Sequence, residues 1–261
     1  MRARLCETTS IFASMLLLSS MVGCVVSDDG SPAATVAALG AALAIDDAEE
    51  RATALSPLVD ESAVASLPER GARTGDGVVE LLAAGEPIVL ATTHDVHHDV
   101  GRARIRRGDE RGLLMVQTDF GRVVRLAVLY DPIPDDDVRP DALVAYEHAW
   151  AETDEVARRA FVDDALALDG RYVDPTADVR GRQGLADHIA GFQGQMPTAS
   201  IVGTSGILVQ HGVLHFTWHM DLVKDTIPFT DGMDVIFLDD GGQLSLVAGF
   251  FGPLADDAAA P

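Results

Sequence analysis

DGMDVIFLDDGGQLSLVAGFF, residues 231–251, is the stretch that decides how this chain folds. Two apolar runs, 233–238 and 244–251, flank Asp239-Asp240-Gly241-Gly242, a composition that predicts a hairpin turn between two strands. Just upstream, residues 213–222 alternate Leu214, Phe216, Trp218, Met220 and Leu222 against His215, Thr217, His219 and Asp221, which adds a strand with one apolar face. One residue breaks the apolar pattern. Asp234 sits inside Met233-Asp234-Val235-Ile236-Phe237-Leu238, where an unpaired carboxylate is costly, so it is either hydrogen-bonded for structure or kept for chemistry.

Working back from these strands, the spacing changes to helical. Residues 142–151 place Leu143, Tyr146 and Trp150 on one helix face. A second helix is expected from Thr153-Asp154, with Thr153 as its cap and acidic residues in its first turn. A third is expected over 183–192, burying Leu185, Ile189 and Phe192. Helices followed by a meander of strands predict an α+β domain over residues 141–254.

The same order occurs earlier in the chain, over residues 36–131. Residues 47–55 stand against 154–162, Thr74-Gly75 against Arg180-Gly181, and Asp119-Phe120-Gly121 against Asp240-Gly241-Gly242. The first copy is shorter in its sheet by about a dozen residues, which implies a truncated strand or a missing loop. At the key positions, acidic and phenolic residues stand only in the second copy. Tyr146, Asp174 and Asp234 face Leu39, Leu67 and Leu113 in this alignment, which separates scaffold from candidate site. Between the copies, residues 132–140 are rich in proline and aspartate and read as an extended linker.

Ahead of both, Arg2 and Arg4 precede an apolar core over residues 11–18, the pattern of an export signal ending near residue 24 and too short for a typical spanning helix. Met21-Val22-Gly23-Cys24 resembles a bacterial lipobox, which makes Cys24 the candidate lipidation site and residues 25–35 a tether to the cell envelope. Cys6 and Cys24 are the only cysteines, so the folded part carries no disulfide. A net charge of −22 argues against nucleic acid, since phosphate contacts need clustered Lys and Arg. It also disfavours adhesion to anionic lipid except through Cys24. Residues 255–261 read as a frayed tail.

The second copy resembles the nuclear transport factor 2-like superfamily, in its SnoaL-like and ketosteroid-isomerase-like members. The residues that carry the resemblance are Tyr172-Val173-Asp174-Pro175, Val179-Arg180-Gly181 opening a helix, Gly232-Met233-Asp234-Val235, the Asp240-Gly241-Gly242 turn and Gly249-Phe250-Phe251. The first copy carries it more faintly. The resemblance implies two tandem cone-shaped domains, each a curved, mostly antiparallel sheet wrapped round about three helices with a pocket between. It also implies roles. Asp174 would move a proton, while Tyr146 and Asp234 would stabilise an oxyanion, with no cofactor and no metal. Proteins of this fold often pair through the open sheet face, so the two copies could form an intramolecular pseudo-dimer.

The expected chemistry is proton transfer on a cyclic or polyketide-like carbonyl compound, in which burial of Asp234 raises its pKa so that it can act as acid or oxyanion donor. Trp150, Phe216, Trp218 and Phe250 are expected to line an apolar small-molecule pocket, with His215 and His219 as further lining. His215 and His219 stand about 13 Å apart along one strand and cannot share a metal. Structural alternatives stand beside each assignment. Asp174 can cap a turn, Tyr146 can be core, and Asp234 can pair with backbone, Arg180 or Arg182. In that case the protein is a non-catalytic binding or assembly module at the envelope. Thr93-His94-Asp95-Val96-His97-His98 remains, with His94 and His98 expected on one strand face and His97 opposite.

Overall fold

The computed structural model describes residues 31–133, 138–222 and 231–254. Cys24, the expected export signal and residues 255–261 lie outside these. Two α+β units follow one another, each a curved sheet wrapped round three helices into a cone. The first runs α1 (Pro32–Leu43), α2 (Ala48–Leu55), β1 (Val59–Leu67), β2 (Gly71–Thr74), α3 (Gly77–Ala83), β3 (Val89–His97), β4 (Val100–Arg107), β5 (Glu110–Asp119) and β6 (Arg122–Tyr130). The second runs α4 (Asp141–Ala151), α5 (Glu155–Ala165), β7 (Leu166–Asp174), β8 (Ala177–Arg180), α6 (Gly181–Gln195), β9 (Ala199–Gly203), β10 (Leu208–Gln210), β11 (Val213–Leu222), β12 (Asp231–Leu238) and β13 (Leu244–Phe251).

Local chemistry sets the helix ends. Asp47 and Asp154 cap α2 and α5, their carboxylates accepting from backbone N–H groups one turn in. The expected cap Thr153 is thus displaced by one residue. Gly181 opens α6 at φ +68°, a conformation that favours glycine, two residues before the expected start. Helix α1 begins at Pro32, inside the predicted tether. Arg51 and Arg158 hold equivalent joints. Arg51 donates to Ile45, Asp46, Ala83 and Gly85 carbonyls, and Arg158 to Glu152, Thr153 and the Gln193 side chain.

The strand order is β2-β1-β6-β5-β4-β3 in the first sheet and β8-β7-β13-β12-β11 in the second, with β9 and β10 each pairing β11 beyond it. The β1–β6 and β7–β13 pairs are parallel and the rest antiparallel. Sequence periodicity gives no β7–β8 hairpin between the second and third helices, yet that hairpin carries Asp174 to the sheet. The length difference also becomes concrete. The single strand β3 stands where β9 and β10 do, and Gly108-Asp109 joins the strands whose counterparts are joined by residues 223–230.

Register corrects one correspondence. Leu114 pairs with Val128 as Asp234 pairs with Gly249, so the counterpart of Asp234 is Leu114 rather than Leu113. A one-residue slip in a strand changes face. Leu114 points into the helix-side core, whereas Leu113 belongs to a different cluster. Leu39, Leu67 and Leu114, all 0–1 % exposed, fill the space that Tyr146, Asp174 and Asp234 occupy in the second unit.

That other cluster joins the two sheets. Val100, Leu113, Met115, Ala127 and Leu129 pack with Val213, Met233, Val235, Phe237, Leu246, Ala248 and Phe250. Sheets buried on both faces read as continuous apolar runs, which accounts for 233–238 and 244–251. Polar contacts cross the same surface: Arg171 reaches Asp99, and Gln210 reaches Ser66 and the Val128 carbonyl.

Candidate functional site

A cavity of about 310 Å³ opens between the second sheet and its helices. Its walls are aromatic: Tyr146 and Trp150 from α4, Phe192 from α6, Tyr172 from β7, Phe216 and Trp218 from β11, and Phe251 from β13. Edge-to-face contacts order them, as between Tyr146 and Trp150 at 6.2 Å and between Trp150 and Phe192 at 5.4 Å. Ile201, Val202 and Gly203 of β9 complete one side. Arg139, from the end of the predicted linker, pairs with Glu147 of α4, and both also line the cavity.

Asp234 is the one lining carboxyl with almost no exposure, at 5 %. Strand alternation turns it away from Met233 and Val235, which lie between the sheets, and towards the cavity. Its Oδ1 accepts from the Trp218 indole N–H at 2.9 Å and its Oδ2 from the Tyr146 hydroxyl at 3.3 Å. The second bond is longer than a good O–H···O contact. Neither Arg180 nor Arg182 reaches it; Arg182 donates instead to the Leu166 carbonyl and Gln243. Burial raises the Asp234 pKa from 3.8 to about 7, against the opposing pull of the Trp218 and Tyr146 hydrogen bonds, and the neighbouring Asp174 charge adds to the rise. Burial likewise raises the Tyr146 phenol well above its ordinary value, with the Asp234 carboxylate as the next cause.

Asp174 is near Asp234 but does not open onto the cavity. Its Oδ1 accepts from the Thr176 backbone N–H at 2.6 Å and the Thr176 hydroxyl at 2.8 Å, so it does cap the turn after β7. Its Oδ2 accepts from the Tyr172 hydroxyl at 2.7 Å. Tyr172, which lines the cavity, therefore stands between it and Asp174, and the expected proton-abstracting base is held in the turn and bonded to that phenol. Sequence reasoning passed over Tyr172, although strand alternation places 172 and 174 on one face. It also passed over His188, whose ring packs 5.1 Å from Tyr172 and whose Nε2 lies 3.9 Å from Asp174 Oδ2.

The two acids flank Gly249 on the middle strand. A Cβ there would stand 3.3 Å from Asp234 Oδ1 and 3.4 Å from the Asp174 Cβ, so glycine leaves room for the pair.

Three expected lining residues lie elsewhere. His215 and Phe250 face the other sheet, with His215 Nδ1 donating to the Asp234 carbonyl at 3.1 Å and Phe250 in the inter-sheet core. His219 sits at the surface between Asp231 at 2.7 Å and Asp221 at 3.3 Å. The physical reason is alternation. Odd residues of β11 and, from Leu246 onwards, even residues of β13 point away from the helices. Trp150, Phe216 and Trp218 do line the cavity. Among the described residues no group of three or more His, Cys, Asp or Glu side chains could hold a metal.

Trp218 is aimed by a glycine. It pairs across the strands with Gly232, and a Cβ on Gly232 would overlap three atoms of the indole. Gly232→Ala is expected to push the ring aside, withdraw its N–H from Asp234 and cost about 2 kcal/mol. Losing a donor to the ionised carboxyl should raise the Asp234 pKa further. Tryptophan fluorescence with carboxyl titration checks this, and an unmoved Asp234 would mean Trp218 does not hold it.

No protein-family model matches the sequence, and neither does any curated protein. Among solved structures, the chain is similar to a SnoaL-like family protein from Agrobacterium tumefaciens, at 28% identity over 43% of this chain and 95% of that one, with a TM-score of 0.40. It is also similar to a protein with a ketosteroid isomerase-like fold from Catenulispora acidiphila, solved in complex with trimethylamine, at 17% identity over 44% and 88%, TM-score 0.36. An NTF2-like protein from Exiguobacterium gives 15% identity over 45% and 99%, TM-score 0.36.

Proposed function

We propose that the second unit binds an apolar carbonyl compound and catalyses proton transfer on it, in the manner of an isomerase or cyclase, with Asp234 as the acid and base. One observation carries this reading: a buried carboxyl with a pKa of about 7 at the edge of an aromatic cavity. A general base works best with a pKa near the operating pH, and an ordinary surface carboxylate is too weak. Ionised Asp234 takes a proton from the carbon next to the carbonyl. The C–H electron pair moves into the enolate, whose oxygen needs a donor. Tyr146 holds Asp234 only by a long bond, and once the carboxyl is neutral its O–H is free to turn to that oxygen. Asp234 then returns the proton to another carbon, or the enolate carbon attacks a second carbonyl and closes a ring, the π pair of that carbonyl moving to its oxygen, which takes the proton back from Asp234. Asp174 acts through Tyr172, fixing the phenol that forms part of the wall.

The test is loss of α-C–H signals in D₂O, followed by proton NMR with a panel of cyclic ketones and lactones and the full chain. Exchange faster than in buffer that disappears with Asp234→Asn supports the reading, and binding without exchange would sink it in favour of a binding module.

The sequence of residues 1–24 supports placing this site in the cell envelope, anchored by lipid at Cys24. Cys24→Ala is expected to move the protein from the membrane fraction to the soluble one. An unchanged distribution in a fractionation assay would count against the anchor.

A further inference from the structure

The β3–β4 hairpin of the first unit grips the strands behind the cavity of the second. Asp99, in its turn, accepts from both terminal nitrogens of Arg171 on β7, at 2.6 and 2.7 Å. Arg102 on β4 donates to the carbonyls of Phe251 and Gly252, at 3.1 and 2.9 Å, and its guanidinium lies 5.0 Å from the Phe250 ring centre. His97, the last residue of β3, places Nε2 3.0 Å from the carbonyl of Gly249 and its ring 4.8 Å from Phe250. A carbonyl only accepts, so Nε2 carries the proton. Nδ1 is buried without a hydrogen-bond partner. Burial lowers the His97 pKa to about 4, against the raising influence of Asp95, so the ring stays neutral near neutral pH.

The other side of those residues is the site. Gly249 separates Asp234 from Asp174. Phe251 lines the cavity and packs 5.9 Å from Trp218, which donates to Asp234. The histidine run at 93–98 thereby finds a use that its strand pattern did not show. His98 lies in the turn at φ 51°, not on a strand face with His94, and His97 projects into the neighbouring sheet.

We propose that His97 is a positioning residue for the site in the second unit: its bond to the Gly249 carbonyl fixes the strand on which the spacing and dryness of Asp174 and Asp234 depend. The first unit, with leucines in place of Tyr146, Asp174 and Asp234, then serves as the support that the active unit leans on. The inference rests on the reading of Asp234 as the proton-transfer group.

Carboxyl titration of the full chain by carbon NMR separates the two ideas, with wild type, His97→Phe and His97→Gln compared alongside thermal melting. Phenylalanine keeps the ring against Phe250 and removes the donor, whereas glutamine restores an N–H at similar reach. The expected result is an Asp234 midpoint about one pH unit lower in the Phe variant, as water enters beside the carboxyl, and a return to the wild-type midpoint in the Gln variant. A Phe variant that melts earlier but titrates like wild type would overturn the proposal, because mere interface packing predicts that outcome. A wild-type midpoint in the ordinary carboxyl range would instead overturn the proton-transfer reading, while the difference between variants still judges His97. If the Phe variant does not fold, His97→Asn, whose shorter amide does not reach Gly249, takes its place with the same expected shift.

Discussion

Asp234→Asn is expected to abolish proton transfer while making the protein more stable at neutral and alkaline pH. The activity loss should be at least about 100-fold, the usual contribution of a positioned acid or base. The stability gain follows from linkage. The folded-state pKa of Asp234, about 7, lies above its unfolded value of 3.8. Its contribution is therefore fully present below the unfolded value and is lost as pH rises through the folded one. A gap of about three pH units corresponds to about 4 kcal/mol that the wild type forfeits above pH 7 and the amide does not. Asparagine can still accept from the Trp218 N–H. Urea denaturation of both proteins from pH 4 to 9 is the measurement. Curves that run parallel across that range would show that Asp234 ionises without cost, and with it the argument for a tuned base would go.

The difference between the two proteins is the useful quantity, because other groups bend the absolute curve the opposite way. Burial lowers the pKa values of His97, His188 and His215. For a group of depressed pKa the stabilising contribution is present above the unfolded value, near 6.5, and falls away as the solution is acidified. His97 and His215 lie at the contact between the sheets and His188 lies beside Tyr172, so acid strains both interface and site.

Some of this was legible in the sequence and some was not, for physical reasons. The β11–β13 meander and Asp234 were legible because alternation and a glycine turn are local signals. Strand β7 was not. Asp169, Gly170 and Arg171 interrupt its apolar pattern, and its partner β13 is distant in sequence and parallel. Arg171 reads as a solvated charge, yet it is 5 % exposed because Asp99, contributed by the other unit, meets it there. The Leu113 assignment failed because the turns differ in length. Phe120-Gly121 closes the first hairpin, whereas residues 239–243 close the second, so aligning the glycines shifts the strands by one residue. Alternation sets His215 opposite Phe216 and Trp218 without saying which face meets the ligand, and the apolar run that holds Phe250, covered on both faces, says no more.

Arg171 offers the most exacting test of how the two units are joined. Arg171→Met is expected to cost about 3 kcal/mol at pH 7, the low end for breaking a buried pair, since both partners retain some water. Its guanidinium meets Asp99 at 2.6 Å and Asp178 at 2.7 Å, and those side chains are 28% and 34% exposed. Burial acts to raise the Asp99 pKa, but hydrogen bonds from Arg171 and Gln117 outweigh it and hold the carboxyl below its ordinary value; the Arg171 hydrogen bond lowers Asp178 likewise. Groups of lowered pKa lend stability above the unfolded value and lose it as pH falls. The penalty should therefore shrink when the measurement is repeated near pH 3. It should also shrink when Asp99→Asn and Asp178→Asn are added, because the cost of the single change lies largely in the two carboxylates left facing one another. A penalty that is equally large in acid, or in the triple variant, would mean that the methionine disrupts packing and that the ion pairs contribute little. The sheets would then be held by their apolar faces and by the other hydrogen bonds that cross between them.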